Sequence, residues 1–222
     1  MALADTAQTV FEEVRARYRD PGSLKSTNKA YADDADREPA KIERRKRNAD
    51  SGHAGHRAQR IAAFEKAGSA EIPSGRPSFV ATGHALWVMN ARILNCQELA
   101  SMACFRAMEH GAHTWLMDLT PMDHTLCLIG NEAAISAVDG KEIGKLDTLK
   151  PSIEAYVVDV WLNTVCRIQD YAGSASAKLE RWAQRGKRIS WLPDGAEDDV
   201  WDVPNGAYRD SFLGSSLAKS FA

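Results

Sequence analysis

The order of elements in this chain predicts an α+β fold, with an antiparallel β-sheet packed on a helix that begins at Cys96. Three observations carry that expectation. Residues 97–109 repeat apolar side chains at helical spacing, through Leu99, Ala100, Met102, Ala103, Ala107 and Met108, and stop at Gly111. Strand-like runs follow over 113–119, 124–129 and 155–161, rich in β-branched and aromatic residues and closed by breakers such as Thr120-Pro121 and Gly130. A helix followed by successive strands, rather than a strict alternation of the two, is the pattern of an α+β domain.

The remaining elements follow from composition. Residues 5–19 read as a short amphipathic helix through Val10, Phe11 and Val14, ended by Asp20-Pro21-Gly22. From there to about residue 58 the chain is polar, holding Asp33, Asp34 and Asp36 and then Arg44-Arg45-Lys46-Arg47. So few apolar residues predict a disordered or loosely helical stretch, with the basic run as a solvated charged linker. A short helix over 58–66 and the breaker-rich loop 73–77 come next. These features divide the chain into a polar N-terminal arm with short helices over 1–70 and a folded domain over 75–222. Residues 84–94 are mostly apolar and lead into Asn95-Cys96, and 175–185 read as a helix with Leu179 and Trp182 on one side. The tail after Trp191, rich in Asp, Gly and Pro, carries no assignable pattern.

Composition sets bounds on function. With 222 residues, 44% of them hydrophobic, the chain suffices for one domain with a core of its own. A net charge of −2 demands neither nucleic acid nor an anionic membrane as partner. No apolar run reaches the length of a membrane span, and the first residues lack the basic and apolar regions of a Sec-type leader. The four cysteines are widely spaced, without a CxxC pair, so neither a disulfide framework nor a zinc cluster is expected, and a reducing working compartment is. No phosphate-binding or dinucleotide fingerprint occurs, and no cofactor is expected.

The chemistry concentrates at three residues. Cys96 follows Asn95, a good N-cap, and so falls in the first turn of its helix, where backbone amides present a partial positive charge to the sulfur. Cys104, on the apolar face of that helix, reads as a small core residue. His124 opens a strand after Pro121-Met122-Asp123, a position from which its ring can accept the cysteine proton. Asp159 lies inside Val157-Val158-Asp159-Val160-Trp161; a carboxylate there is costly unless paired, and the simplest pairing is with a histidine on a neighbouring strand. By strand alternation Trp161 projects to the face of Asp159 and shields the His–Asp bond from water. Other candidates are weaker. His53 and His56 lack further ligands, His110 suits a helix C-terminus, Glu98 complements a helix dipole, and His84 lies just upstream of the apolar run.

The motifs Asn95-Cys96-Gln97-Glu98-Leu99-Ala100, Asp123-His124-Thr125-Leu126-Cys127-Leu128-Ile129-Gly130 and Val157-Val158-Asp159-Val160-Trp161 resemble a papain-like group of cysteine-protease and deamidase-type effectors and toxins of bacterial pathogens. The resemblance covers roughly residues 90–162. It implies a papain-like core, with Cys96 as nucleophile, His124 as general base and Asp159 as the orienting acid. Papain itself has Asn where Asp159 stands, with a Trp two residues on, as Trp161 is here. Its oxyanion-hole Gln, six residues before the cysteine, corresponds to Asn90. Because Cys-Gly-Ser-Cys-Trp is absent, a digestive, lysosome-type protease is not implied. The order Cys, His, Asp is shared with transglutaminases and arylamine N-acetyltransferases. On this reading the protein is a thiol-dependent hydrolase, a cysteine protease or glutamine deamidase. It would be secreted by a non-Sec route and act on a protein substrate in the reducing cytosol of a target cell, with a secretion chaperone or immunity protein as a further partner. Nucleic acid and membrane are not expected partners. The rival reading is a non-catalytic protein-binding module that keeps a papain-like core.

Overall fold

The computed structural model describes residues 2–19, 29–31, 78–88, 95–122, 124–137, 142–146, 153–191, 193 and 200–219. In chain order the elements are α1 (Leu3–Arg19), β1 (Lys29–Tyr31), α2 (Ser78–Val88), α3 (Cys96–Glu109), β2 (His113–Thr120), β3 (His124–Gly130), α4 (Glu132–Ala137), β4 (Glu142–Lys145), β5 (Ala155–Asp159), β6 (Thr164–Arg167), α5 (Tyr171–Gln184), β7 (Lys187–Trp191), β8 (Val200–Asp202), α6 (Ala207–Gly214) and β9 (Ser216–Lys219). The fold is α+β. Six strands form an antiparallel sheet in the order β4-β9-β2-β3-β5-β6, and a small antiparallel sheet runs β1-β7-β8.

Strand β3 occupies the centre and is buried at every position. Because successive side chains point to opposite faces, that pattern means both faces are covered, which suits the unbroken apolar run Leu126–Ile129. Helix α3 packs on β2 and β3 and pairs closely with α2. The close pairing depends on Gly83, since a Cβ there would run into the Ser101 carbonyl of α3. Gly83→Ala must therefore push two helix backbones apart. It is expected to cost roughly 2–3 kcal/mol and to lower the thermal midpoint by about 5–10 °C, measured by circular dichroism melting. An unchanged midpoint would contradict this packing.

Helix α1 packs into the main core: Ala7, Val10, Val14 and Tyr18 lie buried in the same cluster as the sheet, and α1 packs on β5 and α3. Polar ties reinforce the apolar ones. Arg106 of α3 grips Glu13 with two hydrogen bonds, at 2.8 and 3.0 Å, and His110 adds a third at 3.2 Å. Arg17 and Arg106 both pack on the Trp87 ring of α2, with guanidinium carbons 3.8 and 4.9 Å from its centre. The helix expected over 58–66 and the basic run 44–47 lie outside the described residues.

Two further expectations change at the C-terminal side. The strand expected over 155–161 ends at Asp159, and Val160 and Trp161 belong to the turn that joins β5 to β6. The tail that showed no pattern supplies β8, α6 and β9, and β9 pairs with β2 inside the main sheet. Its apolar anchors, Tyr208, Phe212 and Leu217, are buried.

Candidate active site

Sheet register explains why His124 and Asp159 meet. Leu128 of β3 pairs with Val157 of β5, so these two share a face. His124 is four residues from Leu128 and Asp159 two from Val157, so both fall on that same face. His124 Nε2 and Asp159 Oδ2 stand 2.8 Å apart, with both side chains almost fully excluded from solvent. The ring's other nitrogen, Nδ1, is left for the sulfur, and Cys96 acts on His124 both by a hydrogen bond and by charge. Cys96 arrives from a third direction, as the first residue of α3. Asn95 caps that helix, its side-chain oxygen accepting the amides of Gln97 at 3.0 Å and Glu98 at 3.3 Å. The three residues expected from the sequence are thus brought together, the cysteine half-buried and the other two enclosed.

Asp159 is held by more than the histidine. Its Oδ2 also accepts the Tyr171 hydroxyl at 2.7 Å, and its Oδ1 accepts the Leu162 amide at 2.8 Å. The second of these bonds exists because β5 ends at Asp159, so the following turn folds its own backbone onto the carboxylate. Trp161 therefore reaches the histidine from a turn and not by strand alternation. Its ring lies 5.1 Å from that of His124, edge-on to Trp182 at 5.6 Å. Phe212 of α6 covers His124 from another side at 5.4 Å and itself packs on Tyr171. Sequence reading missed Tyr171 and Phe212. The only trace of Phe212 was an apolar residue in a tail without periodicity. Asn90 lies outside the described residues.

The electrostatics follow from this enclosure. Burial alone would push His124 down; the Asp159 charge and hydrogen bond, aided by Cys96, outweigh it and push the imidazole up to about 10. Burial would raise Asp159; the His124 charge and hydrogen bond, the Leu162 amide and the Tyr171 hydroxyl outweigh it and hold the carboxyl below its ordinary range. Tyr171 is driven well up by burial and then by the Asp159 charge, so it stays a protonated donor.

A pH dependence of stability results. The His124 contribution is complete below the ordinary imidazole value of 6.5 and is lost as pH rises from there through about 10. The Asp159 contribution is complete above the ordinary carboxyl value of 3.8 and is lost as pH falls through its lowered value. Both are therefore complete between about pH 4 and 6.5. Urea titrations should show the stability difference between wild type and His124→Gln largest near pH 5–6 and shrinking steadily toward pH 10. A difference that stays constant across that range would contradict the charged pair.

The described part of the chain holds no cluster of three or more His, Cys, Asp or Glu side chains suited to a metal. None of its helices is long and apolar enough to cross a membrane. Cys104 and Cys127 are fully buried, with Cys127 Sγ 3.2 Å from Thr114 Oγ1, and burial pushes the Cys104 thiol well up. Cys166 is half-buried, and burial pushes its thiol up to about 11. Among the described residues, Cys96 is the thiol that acts on an imidazole, that of His124. Comparison with protein-family models, with curated proteins and with solved structures finds no match for this chain.

Proposed function

We propose that the protein is a thiol-dependent acyl-transfer enzyme with a papain-like core, cleaving a carboxamide of a protein substrate. The observation that carries the reading is the joining of a half-buried cysteine at a helix start to an enclosed, charged His–Asp pair. In the reaction the Cys96 sulfur attacks the carbonyl carbon, and the amides of the first turn of α3 favour the negative charge that develops there. His124 gives its proton to the leaving nitrogen as the C–N bond breaks, leaving a thioester on Cys96. Water then attacks the thioester carbon while His124 takes its proton, and the thiolate departs as the acid is released. Asp159 keeps the ring in the tautomer that presents Nδ1 to sulfur, and Trp161 and Phe212 keep bulk water from that bond. A peptide bond and a glutamine side-chain amide share this first step. The motif resemblance supports a secreted effector or toxin acting in the reducing cytosol of a target cell.

Alkylation tests the reading. Cys96 and Cys166 are both half-buried, so accessibility alone predicts rates of the same order with iodoacetamide at pH 7. Chemistry predicts that Cys96 reacts about 100-fold faster, since burial holds Cys166 as the thiol. Equal rates would count against the enzyme. Target cells expressing wild type or Cys96→Ala then separate the reactions by proteomics: new termini mark a protease, and Gln-to-Glu mass shifts mark a deamidase.

A further inference from the structure

Five cations that this site does not use converge between α1 and α5. On α1, Arg15 and Arg19 are four residues apart. On α5, Lys178, Arg181 and the C-cap Arg185 follow at spacings of three and four. Each set therefore forms one stripe along its helix. Arg15 and Lys178 bring the two stripes to the same turn, 160–163. Burial pushes Lys178 down, and then Arg181, Arg15, Arg185 and Arg19 push it further, in that order. Arg15 is lowered in the same way, by burial and then by Arg19. The two half-buried members are anchored to one turn of backbone, Arg15 Nη1 donating to the Val160 carbonyl at 3.3 Å and Lys178 Nζ to that of Asn163 at 3.4 Å.

None of the five pairs with a carboxylate among the described residues. Three acidic side chains on the same helices are engaged elsewhere: Glu12 with Gln8, Glu13 with Arg106 and His110, Glu180 with Gln184 and Asn205. A helix C-terminus favours cations, which accounts for Arg19, Arg181 and Arg185 one at a time. It does not account for Arg15 and Lys178, which lie a turn inside and are partly desolvated, or for the meeting of the two stripes. With no carboxylate of the described residues paired to them, these cations repel one another, Arg15 and Lys178 most plainly.

We infer that the α1–α5 stripes are a docking surface for an acidic segment of a partner protein. The array runs about 6 Å along α1 and about 10 Å along α5, which suits several carboxylates strung along a peptide better than one isolated anion. A nucleic acid fits it less well: Tyr18, the aromatic ring that Arg15 packs on, is 8% exposed and offers no face on which to stack a base. The surface shares no residue with the Cys96 site, so it stands or falls independently of the proposed reaction.

Binding of fluorescein-labelled decaglutamate to the full chain, followed by anisotropy, tests the inference. Wild type should bind saturably in low salt and weaken as salt rises. The double variant Arg181→Glu, Arg185→Glu should bind at least about tenfold more weakly, whereas Arg188→Glu, exposed on β7, should stay within about twofold of wild type. Relief of repulsion should leave the thermal midpoint of the neutral variant Arg19→Gln, Arg181→Gln unchanged or higher, with binding still reduced. Four results would overturn the proposal: no saturable binding of decaglutamate, equal binding of decaglutamine, equal loss in Arg188→Glu and the double variant, or tighter binding of a ten-nucleotide single strand than of decaglutamate.

Discussion

Cys96→Ala and His124→Ala are each expected to lower amide turnover by about 10³-fold or more, and the double variant is expected to be no worse than either alone. The sulfur forms the new bond and the imidazole delivers the proton that lets nitrogen leave, so removing one disables the other. Ammonia release from glutamine peptides and coumarin release from peptide aminomethylcoumarin amides would follow the two possible reactions. Independent contributions would instead multiply the losses in the double variant, and that outcome would separate Cys96 from His124. The two single variants differ in their cost to the fold. Cys96 is half-buried at a helix start, so alanine there should change stability by less than about 1 kcal/mol. Removing His124 leaves the Asp159 carboxylate enclosed without its cation, so turnover must be compared well below the melting temperature of that variant.

The site was legible wherever a residue was locally out of place. Asn95 before Cys96 announced a capped helix start, and that is where α3 begins. Asp159 stood out as a charge inside an apolar run, and enclosure with His124 answers the cost that made it conspicuous. What was not legible depends on long-range closure. Tyr171 and Phe212 meet Asp159 and His124 only because α5 and α6 pack back over the end of the sheet, and nothing in their own neighbourhoods marks that. Trp161 was found by alternation along a strand, yet it acts from the turn that Asp159 itself caps through the Leu162 amide. For the fold, the helix and strands from 97 to 161 follow periods of 3.6 and 2 that local sequence displays. Helix α1 displays the same period, but the polar stretch after it suggested an arm. Its attachment rests on contacts such as Glu13–Arg106, which span 93 residues and leave no local signature.

Asp159→Ala is expected to lower stability by about 3–5 kcal/mol, and Asp159→Asn by about 1–3 kcal/mol. Alanine leaves three buried partners stranded: the His124 ring, the Leu162 amide and the Tyr171 hydroxyl. Asparagine keeps the shape but offers one oxygen where the carboxylate offers two. With that oxygen toward His124 and Tyr171, its NH₂ opposes the Leu162 amide. Turned the other way, it satisfies Leu162 and presents donors to the imidazole. The first arrangement keeps the histidine tautomer, so Asp159→Asn should retain turnover within about tenfold of wild type while Asp159→Ala loses about 10²–10³-fold. Both substitutions remove the charge that does most to hold the imidazole up near 10, so the alkaline limb of the turnover profile should move to lower pH in each. Urea midpoints rank the stabilities and the pH profile reads the histidine separately. An alkaline limb that stays fixed while stability falls would mean that Asp159 props up the sheet end without acting on His124.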